Sequence, residues 1–234
     1  MKIAVMQPYF FPYIGYFQMI KAVDAFVFYD DVNFIKQGWI NRNRILVNGT
    51  PFMFTVPLEK ANSFCLIKDT LINQKFFDSW KSKFQMTLNQ NYKKAPHFTE
   101  INALIQNIFE KDYFFISEMA IESVTTISKY LRLQTEFFNS SKRYDNKDLE
   151  RDNRLIAICK SEGANHYVNA LGGQELYNKD IFKAREIELS FIKSLPIEYK
   201  QFKNEFVPWL SIIDVLMFNS VEVVNEMLDK YELM

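Results

Sequence analysis

The chain has few of the residues that usually announce a chemistry. Among 234 residues there are two cysteines, Cys65 and Cys159, and two histidines, His97 and His166. The cysteines lie far apart and match no zinc or redox spacing, so they read as reduced, buried thiols and not as a disulfide scaffold. So few histidines and cysteines argue against a catalytic zinc site. Nucleophilic catalysis has no context either: there is no Gly-x-Ser-x-Gly, and neither histidine sits beside a cysteine or serine signature. Glycine is scarce, at six residues. Neither Gly-x-Gly-x-x-Gly nor Gly-x-x-x-x-Gly-Lys occurs, so the ordinary nucleotide fingerprints are absent. Charge of one sign is also missing, since 28 basic residues face 28 acidic ones. A generic nucleic-acid binder would carry a basic excess to neutralise phosphates, so no nucleic-acid partner is expected. No apolar run approaches the roughly 20 residues of a membrane helix, so no membrane span is expected. The opening Met1-Lys2 and its apolar stretch superficially resemble a signal peptide. Pro8 and Pro12 interrupt that stretch and no small-residue cleavage site follows, so it reads as a first strand of a cytoplasmic protein.

Aromatic residues are plentiful instead, at 16% of the chain, with 23 Phe and 12 Tyr. They imply a core in which Phe takes the place of Leu, with some rings left to wall a ligand cleft. Hydrophobic residues at 48% and charged residues at 24% are the balance of a globular protein.

Residues 3–6 form a short apolar run closed by Pro8, the profile of a buried parallel strand. Helical spacing over 16–23 and a second apolar run over 25–29 complete a strand–loop–helix–strand unit of crossover length. Asn48-Gly49 between runs at 44–47 and 52–56 predicts a hairpin. A further strand is expected within 64–72. Helices are predicted over 76–92, 100–110 and 113–131. A strand at 136–139, a polar loop at 140–148 and a helix at 149–162 capped by Gly163 follow. Strands at 166–170 and 188–191 and helices at 209–218 and 221–231 complete the reading. The expected architecture is one α/β domain over residues 1–234, a Rossmann-like, mostly parallel sheet with a helical insertion at 73–135 and C-terminal helices. Ligands of such sheets bind beyond the carboxyl ends of the strands, here the loops at 7–15 and 30–43.

Four segments carry polar or conformational signals. In the first, Gln7 to Phe17, two prolines stiffen a loop that turns into a helix, where backbone N–H groups suit a phosphate. Gln7, Tyr9 and Tyr16 are candidate ligand contacts there. Tyr13-Ile14-Gly15-Tyr16 resembles the His-x-Gly-His loop of the HIGH-motif nucleotidylyltransferases, with both histidines replaced, so imidazolium chemistry is unavailable at those positions. The second segment packs Asp30, Asp31, Lys36, Trp39, Asn41, Arg42, Asn43 and Arg44 into fifteen residues. The adjacent acids could hold Mg²⁺ or act as an acid/base group of raised pKa. Lys36, Arg42 and Arg44 could neutralise a diphosphate, and Trp39 could stack on a base or sugar. On a strand, Arg42 and Arg44 share one face and Asn41 and Asn43 the other. The third segment places Gly172 and Gly173 after a strand, which reads equally as a ligand-approach turn and as a plain one. In the fourth, Ser211 and Asp214 read as a cap and a first-turn carboxylate.

Together these blocks resemble the WbqC-like family. The carriers are Gln7-Pro8-Tyr9-Phe10-Phe11-Pro12-Tyr13-Ile14-Gly15-Tyr16-Phe17, Val23-Asp24-Ala25-Phe26-Val27-Phe28-Tyr29-Asp30-Asp31 and Lys36-Gln37-Gly38-Trp39-Ile40-Asn41-Arg42-Asn43. Tyr92-Lys93-Lys94-Ala95-Pro96-His97-Phe98 and the segment from Phe206 to Asp214 are similar to its later blocks. The resemblance implies a role in bacterial O-antigen or capsule polysaccharide biosynthesis on a nucleotide-activated sugar, and it assigns no catalytic residue. The leading expectation is therefore a transferase that acylates or aminoacylates an amino sugar. In it Asp30 or Asp31 would take a proton from the amine, and the segment 7–16 with Lys36, Arg42 and Arg44 would hold the diphosphate. A Mg²⁺-dependent nucleotidylyltransferase and a non-catalytic sugar-binding or scaffold subunit are the competing readings. A symmetric homodimer is the expected assembly.

Overall fold

The computed structural model describes residues 1–203 and 205–234. Lys2–Met6 forms β1, and its side chains alternate between two hydrophobic clusters, Ile3 and Val5 in one and Ala4 in the other. The same alternation divides Ala25 and Val27 from Phe26 and Phe28 along β2, Ala25–Phe28. A strand buried on both faces in this way belongs in a parallel sheet covered on both sides. Between them α1, Ile14–Lys21, is buried from Gly15 to Ile20, so it runs through the core with little solvent face.

The hairpin follows as β3, Arg42–Val47, and β4, Thr50–Thr55. Its two-residue turn sets Asn48 at φ 51° and Gly49 at φ 77°, the pair of left-handed residues that suits the strand twist. The helical middle comprises α2, Gln74–Tyr92, α3, Phe98–Phe109, and α4, Ile116–Tyr130. On α2 the buried residues Phe77, Phe84, Leu88 and Tyr92 fall on one stripe at helical spacing. The start of α4 is held by Glu118, whose carboxylate accepts from the backbone N–H groups of Phe114 and Phe115 at 3.1 and 3.0 Å. Then come β5, Glu136–Phe138, α5, Arg151–Ser161, β6, His166–Ala170, α6, Lys179–Lys183, and β7, Glu188–Ser194. The chain ends in α7, Ile212–Phe218, α8, Val221–Leu228, and β8, Tyr231–Leu233.

The main sheet has six strands in the order β5-β2-β1-β6-β7-β8, parallel except for β8. This is a Rossmann-like α/β arrangement: the chain winds outward from β1 through β2 to β5, then returns beside β1 with β6 and winds the other way. The strand order thus reverses between β1 and β6, which opens a crevice at their carboxyl ends. The larger cluster unites one sheet face with α1, the middle helices, α7 and α8; the smaller joins the other face to α5 and α6.

Three expectations are corrected. Residues 64–72 are not a strand: they contain a short 3-10 turn, Ile67–Asp69, and make only single bridges to Asn33, Phe115 and Leu58. Their backbone instead bonds the loop after β2, with Ile67 N–H donating to the Val32 carbonyl at 2.9 Å and Lys68 N–H to that of Asp30 at 2.9 Å. The helix read from residue 209 starts at Ile212, because Trp209 holds φ 61°, which no right-handed helix admits. The last helix stops at Leu228, and Tyr231 lies on the edge strand β8. Among the described residues no helix is long and apolar enough to cross a membrane.

Candidate functional site

Three cavities meet at the carboxyl ends of β1, β6 and β7, and both Tyr13 and Trp209 line each of them. The smallest, about 200 Å³, lies at the sheet's reversal point among Met6, Tyr9, Gly15, Tyr16, Gly172 and Ser194. A second, about 320 Å³, is bordered by Tyr9, Pro12, Trp39, Asn43 and Arg44. The third, about 640 Å³, extends beyond Trp209 along residues 194–199 and 205–210.

The loop after β1 is pinned at Phe11, whose backbone lies at φ 43°. Its N–H donates to Ser123 Oγ at 3.1 Å, and its carbonyl accepts from Asn43 Nδ2 at 2.8 Å and Ser211 Oγ at 2.7 Å. A bulky residue keeps such a conformation only where its surroundings over-determine it. Two residues on, Tyr13 is set against Trp209, with ring centroids 6.0 Å apart. Gly15 is required beneath them: a Cβ there would lie 2.3 Å from the Tyr13 ring and 2.7 Å from Ser194 Oγ. Burial raises the Tyr13 phenol above its ordinary pKa, partly offset by the Ser194 hydroxyl. Burial, with a smaller contribution from Tyr13, pushes Tyr9 up to about 12. Both rings are therefore neutral walls at physiological pH.

Two cations border the crevice: Lys193 lines the smallest cavity and Arg44 the one of about 320 Å³, where Arg44 is the more closely held. Its guanidinium carbon stands 5.5 Å from the centre of the Trp39 ring, and Nη2 donates to the Trp209 carbonyl at 3.2 Å. Its Nε–H is buried with no acceptor among the described residues. Such an unanswered donor costs free energy unless something supplies an acceptor.

The two arginines that share a strand face part company. Arg42 Nε donates to the Gly38 carbonyl at 3.0 Å and its Nη2 to that of Gln37, so it ties down the loop before β3. Asn41 is likewise occupied, donating to the Val56 carbonyl at 2.9 Å. Lys36 is exposed and borders none of the three cavities. Gln7 contributes a carbonyl, which accepts from the buried Tyr16 hydroxyl at 2.8 Å. Of the glycine pair, Gly172 lines the crevice, whereas Gly173 is packed so closely on Asn169 that a Cβ would come within 2.6 Å of its amide.

Asp30 and Asp31 stand apart from the crevice. Asp30 accepts from Ser140 Oγ at 2.7 Å and Ser141 N–H at 3.1 Å. Asp31 accepts from the Ser141 hydroxyl and pairs with Arg154 Nη2 at 2.6 Å, both partners nearly buried. Arg154 also lies over the Tyr29 ring at 4.6 Å and donates from Nε to Asn146 at 3.1 Å. Burial raises the Asp30 pKa, while the Ser140 and Ser141 donors hold it down. No group of three or more metal-ligating side chains occurs among the described residues. The acid pair therefore fastens the end of β2 to the 140–146 loop and α5, and neither carboxyl borders the three cavities.

Of the sequence candidates, Tyr9, Tyr16, Trp39, Asn43, Arg44 and Gly172 are brought together. Tyr13 and Trp209, which lay in the segments singled out but were not named as contacts, join them, as does Ser194. A legible trace was Trp209, directly after a proline in an aromatic segment; Ser194 left none, being a lone hydroxyl at a strand end. Ser211 caps α7, accepting from Ile213 N–H at 3.3 Å. Asp214 does more than serve a first turn. It is fully buried and accepts from Tyr92 and Tyr199 hydroxyls at 2.6 Å each and from Gln201 Nε2 at 2.8 Å. His166 is at the opposite, entry end of β6, where Nε2 meets Ser190 Oγ at 2.9 Å.

The WbqC-like protein family model matches residues 7–226. A relative is the Mycobacterium tuberculosis (strain ATCC 25618 / H37Rv) protein Rv1507c, itself uncharacterized, 31% identical over 221 residues that span 93% of each chain. No solved structure matches the chain. The sequence candidates brought together at the crevice lie within the matched span, and the chain belongs to the WbqC-like protein family.

Proposed function

We propose that this protein is a transferase of bacterial surface-polysaccharide synthesis that binds a nucleotide-activated amino sugar in the switch-point crevice and acylates or aminoacylates its amine from an activated ester or thioester. The amide C–N bond forms as the donor's C–O or C–S bond breaks, and the released alcohol or thiol carries away the amine's proton. The observation that carries this reading is Arg44: a guanidinium held between two indole-bearing segments, with an unanswered buried Nε–H, at the carboxyl edge of a Rossmann-like sheet. A planar fork of donors suits a diphosphate, and Trp39, Trp209 and Tyr9 offer faces to a base or sugar. The Gly172 turn completes the contact set, and Asn43, whose amide is spent on the Phe11 carbonyl and the Arg44 N–H, fixes the wall behind it. Because Asp30 and Asp31 are closed off by Ser140, Ser141 and Arg154, they support the reading as a brace rather than as the proton acceptor. Nucleotidylyl transfer is less well served, since Tyr16 points its hydroxyl at the Gln7 carbonyl and tyrosines stand at both histidine positions of that motif.

Titration with UDP-N-acetylglucosamine and other nucleotide sugars tests the proposal. A hundredfold excess over Kd should stabilise the protein by about 2.7 kcal/mol in thermal unfolding. Arg44→Ala should weaken binding about tenfold or more. No shift with any nucleotide sugar, or equal affinity in Arg44→Ala, would overturn it.

A further inference from the structure

Two of the three cavities that meet at Trp209 are unlike in charge. On one side Arg44 is the charged group of the cavity of about 320 Å³. On the other, the cavity of about 640 Å³ is walled by Ile14, Ile197, Phe206, Leu210 and Val215, and its charged lining residues are Glu198 and Glu205. No lysine or arginine lines that chamber among the described residues. Its floor is held still, because Tyr199, which lines it, donates its hydroxyl to the buried Asp214 at 2.6 Å. An anionic ligand entering there would meet two carboxylates and no cation, whereas an apolar chain ending in an ammonium group finds burial for one end and partners for the other.

We propose that this chamber is a second subsite, which takes an aliphatic group bearing an ammonium, the chemistry of an aminoacyl group, and rejects carboxylate- and phosphate-bearing chains. The inference rests on the crevice reading above and assigns its two sides: the Arg44 side takes the diphosphate and the Glu198–Glu205 side takes the group to be transferred. The volume agrees, lying within the range of small-molecule pockets.

Calorimetric titration of the full chain with hexylamine, hexanamide and hexanoate tests it. Hexylammonium should bind about tenfold more tightly than hexanoate, with hexanamide between them. Glu198→Gln combined with Glu205→Gln should bring hexylammonium and hexanamide to within about twofold, because only the carboxylates distinguish them. Ile197→Trp should weaken all three by filling the chamber, and the double glutamine variant, changed at exposed positions, carries the test if that variant unfolds. Hexanoate binding as tightly as hexylammonium, or a preference that survives both glutamine substitutions, overturns the proposal. UDP-N-acetylglucosamine titrated into the same preparations separates the two readings. Its binding without hexylammonium binding defeats this inference alone, and the reverse defeats the Arg44 reading while the ammonium subsite stands.

Discussion

Asp31 and Asp214 are both buried carboxylates, yet they are held in opposite ways. Asp31 faces a cation, Arg154, and the pair joins the end of β2 to α5 and the 140–146 loop. Asp214 faces two phenols and an amide but no cation among the described residues, and its partner Tyr199 reaches the wall of the cavity of about 640 Å³. Through Tyr92, whose oxygen also accepts from Leu46 N–H at 2.6 Å, the same cluster holds β3. Through Gln201, bonded to the Val207 N–H and carbonyl at 2.7 and 3.1 Å, it holds the segment leading to Trp209. Burial raises the Asp214 pKa, and the three donors only partly counter it. One cluster is therefore a brace remote from the crevice, and the other is a support for it. An acid's position in a dense polar segment says less about its job than the identity of whatever answers its charge.

The strongest way to break this comparison is Arg154→Met, which leaves the Asp31 carboxylate buried without its cation. It should cost about 3–5 kcal/mol in urea unfolding, and adding Asp31→Asn should restore a large part of that. Equal loss in the single and double variants would show that the two charges are not coupled. Nucleotide-sugar affinity should stay unchanged in the folded double variant, in keeping with a brace.

Next in size is the response of Asp214 to pH. Its folded pKa lies above the unfolded one, so the folded protein keeps this proton longer. The resulting stabilisation is full below the unfolded carboxyl value of about 3.9 and is lost as pH rises through the raised folded value. Thermal unfolding of wild type and Asp214→Asn across pH 4 to 8 should therefore show the wild type's advantage shrinking as pH rises. A difference that grows with pH would reverse the assignment.

Tyr199→Phe and Ser140→Ala sharpen the contrast at similar cost. Each removes one hydrogen bond to a buried carboxylate, worth about 1.5–3 kcal/mol if the acceptor is ionised. Only Tyr199→Phe should also weaken hexylammonium binding, since only Tyr199 lines the chamber. The smallest stability effect belongs to Trp209→Ala. Its side chain is 64% exposed, so unfolding should move by no more than about 0.5 kcal/mol. Its affinity for UDP-N-acetylglucosamine should nonetheless fall several-fold through the lost ring face.

Much of the fold was legible because hydrophobic period and turn chemistry are local. The runs at 3–6, 25–29 and 166–170, the Asn48-Gly49 turn and the Gly163 cap all reappear within a residue or two as strands, hairpin and helix end. Residues 64–72 misled because an apolar, β-prone run becomes a strand only when another strand is beside it, and here the loop 30–34 lies there instead. The site was half legible. Trp39, Asn43 and Arg44 were visible as a dense polar segment, but Lys36, Asn41 and Arg42 carry the same signal and are turned elsewhere. The alternation of a strand decides which face a side chain takes, and it does not decide whether a nearby carbonyl captures that side chain, as Gln37 and Gly38 capture Arg42.

The sequence by itself therefore determined the α/β alternation, the buried first strand, the hairpin and the loops at the carboxyl ends of the first strands. Each of these follows from interactions between residues close along the chain. Only the tertiary structure decided that Trp209 would close a crevice begun at Tyr9 and Tyr13. The same holds for Arg154, which answers Asp31 from more than a hundred residues away, and for Asp214, which collects donors from Tyr92 and Tyr199. Those partners are set by how the sheet reverses between β1 and β6 and by which helices then cover it. No local pattern encodes a contact whose two halves meet only after that packing is complete.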